Sequence, residues 1–126
     1  MTLRRRKPTD AELDILSVLW ERGPSTVREV AEVLGRENAY TTVLKLLQIM
    51  AEKRLVTRRE SGRLHIYAAA SSRDQMQQHL VRDLLRRAFD GSAAQLVVQA
   101  LTAGKATREE LDEIRRLLDQ HRRQRS

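Results

Sequence analysis

Cysteine is absent from this chain of 126 residues. Disulfide bonds, thiolate chemistry and cysteine-based metal sensing are therefore excluded. No apolar run approaches the roughly 20 residues that a membrane-spanning helix needs. The basic start Arg4 to Lys7 leads into Pro8-Thr9-Asp10, and not into the apolar core of a signal peptide. We therefore expect a cytoplasmic protein that does not insert into a membrane.

Aromatic side chains are also scarce, and the whole set is Trp20, Tyr40, Tyr67 and Phe89. Because single-stranded nucleic acids bind largely by stacking their bases on aromatic rings, we expect no such platform. Charge is abundant, with 24 Lys and Arg against 17 Asp and Glu, a net charge of +7. This excess favours a polyanionic partner, of which double-stranded DNA fits best. A helical protein with a merely basic surface is the alternative.

Motifs of catalysis and metal binding are missing as well. The sequence has no nucleophile elbow, glycine-rich phosphate loop or paired-carboxylate motif. Its histidines, His65, His79 and His121, lie on different predicted elements, so we do not expect them to share a metal ion. The sequence therefore indicates neither an enzyme nor a cofactor.

Capping boxes mark the predicted helix starts, since Ser or Thr followed three residues later by Glu or Gln satisfies two backbone N–H groups. They are Thr9/Glu12, Thr26/Glu29, Ser72/Gln75, Ser92/Gln95 and Thr107/Glu110. The first helix should end in a left-handed cap at Gly23-Pro24, and the second at Gly35. A third helix is predicted from Asn38, as the N-cap, to Lys53. Its inner stripe should be Tyr40, Val43, Leu47 and Met50, and we expect both Tyr40 and Trp20 to be core residues.

Two short runs typical of strands follow, from Leu55 to Arg59 and from Leu64 to Ala68. Between them, Gly62 can adopt the positive φ that a tight loop needs. Both features predict a β-hairpin. Three helices followed by a hairpin are the element order of a winged helix-turn-helix, in which the third helix enters the major groove and the hairpin is the wing.

The small residues from Ala68 to Ser72 suggest a boundary, after which the sequence predicts three more helices. Helices spanning only about 50 residues seldom bury enough surface to stand alone, so a second copy of the chain should supply the missing surface.

We predict a mainly α protein with a small β-hairpin, made of a winged helix-turn-helix at residues 1–70 and a helical dimerisation region at residues 71–126. The apolar residues expected at the interface between the two copies are Met76, Leu80, Leu84, Leu96, Val97, Leu101, Leu111, Ile114 and Leu118.

The third helix carries the candidates for groove contacts, Thr41, Thr42, Lys45 and Gln48. Threonine can contact a thymine methyl group or a phosphate, and lysine can reach guanine acceptors or the backbone. A merely solvated helix face is the alternative.

Arginines of the hairpin, Arg58, Arg59 and Arg63, would neutralise phosphates and so set affinity without reading sequence. An ordinary charged hairpin is the alternative. The arm from Arg4 to Lys7 either enters the minor groove or is a disordered tail with nonspecific attraction.

Four stretches of the chain together resemble the penicillinase-repressor family of the BlaI/MecI/CopY type. They are Thr9 to Trp20, an acidic helix ending in Trp; Thr26 to Val30; Ala39 to Gln48, with Tyr-Thr-Thr-Val; and Gly62 to Tyr67, with Gly-Arg-x-His-x-Tyr. The resemblance implies a dimeric bacterial repressor of target promoters. Some members are inactivated when a membrane sensor of β-lactams leads to proteolysis within the C-terminal helices, so a sensor protease is a further expected partner.

Departures from the family pattern limit what the resemblance implies. Arg54 stands where the family often has Gly, so a left-handed cap there should be strained or absent. Ile49 stands where the family often has a basic residue, so a contact from that turn to the DNA backbone is not implied. Gln99-Ala100 aligns with the Asn-Phe type bond that is cleaved in antibiotic-responsive members, so the same cleavage is not implied. The copper-responsive branch needs cysteines that this chain lacks.

The sequence thus predicts a sequence-specific repressor, dimeric on a palindromic operator. Two alternatives are a winged-helix protein-interaction module and a nonspecific architectural DNA-binding protein. The net charge suffices for the architectural protein, but the apolar helix containing Leu96 to Leu101, suited to a fixed dimer, would then be unexplained.

Overall fold

The computed structural model describes residues 7–35 and 39–125. Within them the chain forms helices and strands in the order α1 (Asp10–Arg22), α2 (Val27–Val33), α3 (Tyr40–Glu52), β1 (Val56–Ser61), β2 (Leu64–Ala69), α4 (Arg73–Ala88), α5 (Ala93–Ala103) and α6 (Arg108–Arg125). Three helices followed by a hairpin are the winged helix-turn-helix order. The predicted class, mainly α with one small hairpin, is confirmed. The chain divides into two compact units, the first ending at Val81 and the second beginning at Arg82.

The first helix, α1, begins at the predicted capping box and ends at a glycine. Thr9 N–H donates to Glu12 Oε1 at 2.8 Å, and Glu12 N–H donates to Thr9 Oγ1 at 3.2 Å. Gly23 ends the helix with φ 93° and ψ −171°. This is not the left-handed cap predicted for Gly23, but an extended region of positive φ that only glycine occupies readily. Its N–H still donates to Leu19 O at 2.8 Å, which satisfies one terminal carbonyl.

The helices α2 and α3 follow, and α3 starts later than predicted. The Thr26/Glu29 capping box begins α2, and Gly35 follows its end with φ 69°. Ala39 holds the N-cap position of α3 and has no side-chain hydrogen bond. Asn38, the predicted N-cap, lies outside the described residues.

Aromatic residues of α1 and α3 divide between core and surface. The prediction that Tyr40 is a core residue is wrong, because its side chain is 43% exposed. It belongs to the first turn of α3, whereas the buried residues of that helix lie further along, at Val43, Leu47 and Met50. Trp20 does pack against the core, and its Nε1–H donates to Ser71 O at 2.9 Å.

The hairpin is antiparallel and has a two-residue loop. Its register pairs Val56 with Ala69 at the base and Ser61 with Leu64 at the tip. Gly62 has φ 64°, the predicted positive value, which a two-residue hairpin loop requires. Ser25 extends this sheet by an isolated bridge to Tyr67, with N–H to O distances of 2.9 and 2.8 Å. This bridge ties the segment between α1 and α2 to the wing.

The first unit also contains the start of α4. Met76 is 2% exposed within the same core as α1, and Leu80 packs against that core. Arg73 anchors the same turn, since its Nη2 lies 2.8 Å from Glu21 Oε1 on α1. Met76 is therefore a core residue within one chain and not the interface residue that we expected. The first unit accordingly extends to Val81, beyond the boundary that we predicted at residue 70.

The second unit buries none of its described residues. Ser92 and Thr107 cap α5 and α6 by accepting hydrogen bonds from Gln95 N–H and Glu110 N–H. Its large apolar side chains with more than a third of their surface exposed are Leu84, Val97, Val98, Leu101, Leu111, Leu117 and Leu118. The unit thus has regular helices without a core of its own.

None of the helices in the described part of the chain is long and apolar enough to span a membrane. The longest, α6, has 18 residues and is rich in charge, acidic in its first turn and basic in its last.

Candidate nucleic-acid interface

One side of α3 is buried and the other is free. Val43, Leu47 and Met50 are at most 1% exposed, and they pack against α1, α2 and the hairpin. Because these residues recur every three or four positions, they hold the opposite side of the helix toward solvent. The rigid core of the unit thus presents one helix face outward.

That outward face carries the predicted groove-contact residues. Thr41, Lys45 and Gln48 are exposed and follow one another at steps of four and three, so they form a single stripe along α3. Thr42 is also exposed, at the edge of this stripe. We call these four residues the reading face. Together they present hydroxyl, ammonium and amide groups that can hydrogen-bond to base edges or phosphates.

The reading face has two neighbours that limit its extent. Glu52 continues the stripe toward the helix end and is exposed. A carboxylate there repels phosphate, so the favourable part of α3 is its first half. Ile49 is 40% exposed beside the stripe and supplies an apolar surface where a basic residue would supply a charge.

The end of α3 has a left-handed residue that is not glycine. Arg54 has φ 66°. Leu55 N–H donates to Met50 O at 2.9 Å and Arg54 N–H donates to Ala51 O at 3.1 Å. These two bonds, with buried Leu55 and Met50, make a Schellman motif. The left-handed cap is therefore present, and Arg54 bears the steric cost of a β-carbon there, about 1 kcal/mol or more.

Lys53, at the end of α3, is engaged by α1. Its Nζ lies 2.7 Å from Glu12 Oε1 and 3.0 Å from Glu12 Oε2. The Glu12 side chain is 2% exposed and the Lys53 side chain 16%. Burial acts to raise the pKa of the Glu12 carboxyl, but hydrogen bonds from Lys53 and Thr9 lower it more, so the pKa lies below its ordinary value.

This ion pair was not foreseen in the sequence, where Glu12 served only as the partner of Thr9 in a capping box. The two residues lie 41 positions apart, and no spacing rule connects such positions. The only signal was a carboxylate on the apolar side of α1, near Ile15 and Leu16, where a charge needs a partner.

The hairpin holds its three arginines in different directions. Arg58 is paired with Tyr67 and Arg59 with Ile66. Since successive side chains alternate across a strand, Arg58 and Arg59 extend from opposite faces of the hairpin. Arg63 lies in the two-residue loop at the tip. The structure therefore does not bring the three together on one surface.

The two faces of the hairpin differ in charge. Arg58 shares its face with buried Tyr67 and with Glu60, whose Oε1 lies 3.6 Å from Nε2 of His65. Arg59 shares its face with Thr57 and Ser61, which carry no charge. The face of Arg59 and the tip with Arg63 are thus the more electropositive parts of the wing.

Four cations of α3 and the hairpin form no ion pair within the described part of the chain. Lys45, Arg58, Arg59 and Arg63 pair with no carboxylate among residues 7–35 and 39–125, although other arginines of the same stretch do. Exposed and unpaired cations keep their full attraction for a polyanion. The helix and the hairpin thus offer polar and cationic groups suited to a nucleic acid.

Comparison with known proteins identifies the family. The family model described as Penicillinase repressor matches residues 8–120, nearly the whole chain. The chain belongs to the penicillinase repressor family. That family consists of transcriptional repressors and is not a family of enzymes. The resemblance inferred from the sequence motifs is therefore confirmed.

Two individual relatives, a regulator and a repressor, agree with the penicillinase repressor assignment. The chain is 37% identical over 112 residues to "Transcriptional regulator BlaI" of Mycobacterium tuberculosis, an alignment that covers 86% of this chain and 80% of that protein. It is 22% identical over 116 residues to "Penicillinase repressor" of Bacillus licheniformis, covering 90% and 91%. A crystal structure of "transcriptional regulator Tm0710 from Thermotoga maritima" aligns with a TM-score of 0.49 at 20% identity, covering 90% of this chain and 73% of that one.

Proposed function

We propose that this DNA-binding repressor places α3 in the major groove of an operator, with Thr41, Thr42, Lys45 and Gln48 as contact residues. The observation that carries the proposal is the exposed polar stripe of α3, whose lysine pairs with no described carboxylate. The major groove is about 12 Å wide and admits one α-helix. Glu52, at the far end of the stripe, directs the first half of the helix to the DNA.

The hairpin contributes affinity in this proposal. Arg59 and Arg63 contact phosphates from the uncharged face and the tip, and Arg58 contacts the backbone from the other face. Each neutralised phosphate releases condensed counterions, so binding should weaken steeply as salt rises. Such contacts fix the register of α3 without reading bases. In this proposal α3 reads the bases and the hairpin binds phosphates, and both elements extend from the same core.

The second unit is the proposed dimerisation region, with a second copy of the chain as its partner. Its helices expose the predicted residues Leu84, Val97, Leu101, Leu111 and Leu118, each at least 39%. Large apolar side chains exposed in this number are costly in water and are typical of an interface. A two-fold dimer presents two copies of α3, about 34 Å apart on successive major grooves, which matches a palindromic operator.

Selection from a random library of 40-base-pair duplexes tests this function. The expected product is an inverted repeat whose half-site centres are about one helical turn, or 34 Å, apart. Sedimentation of the free protein at micromolar concentration should show a dimer. Binding without any enriched sequence would support the architectural alternative, and absence of binding at low salt would support the protein-interaction alternative.

We also propose, from the family resemblance, that the repressor lies in the cytoplasm and has a sensor protease as a further partner, which inactivates it within its C-terminal helices. Gln99 and Ala100, at the aligned position, are exposed but belong to α5. Because proteases bind extended backbone, α5 has to open locally before any bond within it is cut, whether or not that bond is Gln99–Ala100. Mass spectrometry of the protein from induced cells should find the cleaved fragments. An intact chain under conditions in which target genes are expressed would contradict this proposal.

A further inference from the structure

The pair Glu12–Lys53 joins the start of α1 to the end of α3. Glu12 is 1% exposed as a residue, and both of its carboxylate oxygens lie within 3.0 Å of Lys53 Nζ. Glu12 Oε1 also accepts the Thr9 N–H at 2.8 Å. The capping box therefore restricts the direction of the carboxylate that Lys53 contacts.

Stability alone is a poor explanation for this pair. Removing two charges from water costs free energy that their mutual attraction repays only in part, and an apolar pair of similar size is often as stable. What a hydrogen-bonded ion pair adds is direction, because its groups interact strongly in one geometry only. Apolar contacts lack this property, since burial of apolar area is non-directional.

The buried apolar contacts of α3 are of the non-directional kind. Val43, Leu47 and Met50 are at most 1% exposed, and all three contact apolar neighbours in the core. Lys45 lies eight residues before Lys53, which corresponds to about 12 Å along the helix. A small rotation of α3 at its end would therefore shift Lys45 and Gln48 relative to a base pair.

We infer that Glu12 and Lys53 are positioning residues, which set the orientation of α3 and thereby its discrimination between operator and random DNA. This inference rests on the proposed function of α3 as the reading helix. Neither residue contacts DNA. The ammonium of Lys53 is neutralised by Glu12 and does not act as a phosphate contact, although it lies at the end of the reading helix.

The decisive variant is the double substitution Glu12→Gln with Lys53→Met. The introduced glutamine retains an oxygen that can accept the Thr9 N–H, and the introduced methionine retains much of the lysine stem, so no buried charge is left unpaired. Dissociation constants are measured for the selected operator and for a random duplex of equal length, at a temperature where circular dichroism shows the variant folded. We expect operator binding to weaken about tenfold, the loss of roughly one base contact, with random-duplex binding unchanged.

Two further measurements separate positioning from other roles. Lys53→Arg retains a cation for Glu12. This single variant should therefore keep most of the operator preference that the double variant loses. The slope of log affinity against log salt should be the same for wild type and the double variant, which also lacks the Lys53 cation, whereas loss of a phosphate contact would reduce its magnitude by about one. A reduced slope would overturn the inference, since Lys53 would then contact DNA.

Failure of this inference is distinguishable from failure of the proposed function. A wild-type protein that prefers no duplex overturns the proposed function and this inference with it. A wild-type protein that prefers its operator, with a double variant that prefers it equally, overturns the inference alone and leaves the pair a purely structural contact.

Discussion

At the residue scale, Lys45 and Arg63 are exposed cations that belong to different elements. Lys45 lies on the reading face, and Arg63 lies in the hairpin loop. We expect Lys45→Ala to weaken binding to the operator by about 1–3 kcal/mol, the value of one base contact, and to affect a random duplex less. Arg63→Ala should weaken binding to both and reduce the salt slope by about one. Fluorescence anisotropy at several salt concentrations measures these changes in affinity and in salt slope.

A matched control for these variants is Arg86→Ala. Arg86 is an exposed arginine already paired with Asp83 on α4, so its removal changes the net charge without altering the proposed contact surface. Equal losses on every duplex for Lys45→Ala would show that Lys45 contacts phosphate and not bases.

Arg54 has a backbone conformation that suits glycine better than arginine. At φ 66° a β-carbon is strained, and glycine is not. We expect Arg54→Gly to raise the free energy of unfolding by about 0.5–1 kcal/mol, net of the greater entropy of glycine in the unfolded chain. Denaturant titration measures this change. Arg54→Ala is the control, because it removes the same charge but keeps the β-carbon; if it stabilises as much as glycine does, backbone strain is not the cause.

At the element scale, the end of α1 depends on a glycine-only conformation. Gly23 has φ 93° and ψ −171°, and no atom would contact an added β-carbon within 4 Å. The cost of Gly23→Ala is therefore a backbone cost, which we expect to be about 1–3 kcal/mol. Thermal unfolding checks it against Ser17→Ala, an exposed change within the same helix that should be nearly neutral. If Gly23→Ala leaves thermal stability unchanged, α1 does not need the glycine-only conformation of residue 23 to end.

The contact between α1 and α3 should make folding sensitive to acid. The Glu12 pKa is below its ordinary value of 4.5 in the folded protein, so the unfolded chain takes up the proton more readily. The stability contributed by Glu12 is present above about pH 4.5 and is lost as the pH falls through the folded-state pKa. Urea titrations between about pH 6 and pH 3, at one protein concentration, should show this decline.

Glu12→Gln tests whether Glu12 causes this loss of stability in acid. The free energy of unfolding of the variant should fall less steeply as the pH decreases. The pKa of Glu29 is also lowered, by hydrogen bonds from Thr26 and from Arg22, but its side chain is 38% exposed and solvent screens its contribution. An unchanged decline in Glu12→Gln would assign the acid sensitivity to other carboxylates.

At the scale of the whole molecule, the second unit exposes large apolar side chains, for which we propose a second copy of the chain as the partner. Leu118 is 53% exposed on α6, on the side of that helix with Leu111 and Ile114. We expect Leu118→Glu to shift the protein from dimer to monomer in sedimentation velocity at micromolar concentration, because a carboxylate buried at the interface has no partner. Gln120→Glu, which adds the same charge on another side of α6, should leave the dimer intact. A dimer that survives Leu118→Glu would place the interface elsewhere.

The local features of this protein could be predicted from spacing along the sequence. Helix starts followed from capping boxes, whose hydrogen bonds connect residues three positions apart, and Thr9, Thr26 and Ser72 each form both bonds of the box. The hairpin followed from Gly62 between two strand-like runs. The family followed from its motifs. These features depend on spacing along the chain, which is written in the sequence.

The features that depend on distant residues could not be predicted in this way, because they are set by the folded chain. The tertiary structure paired Glu12 with Lys53, placed Met76 in the core of the first unit, left Tyr40 exposed and turned Arg58 and Arg59 to opposite faces of a hairpin with a defined register. It also imposed a left-handed conformation on Arg54, against local preference. The physical reason is that core packing and sheet pairing together outweigh the roughly 1 kcal/mol by which a single residue prefers one local conformation.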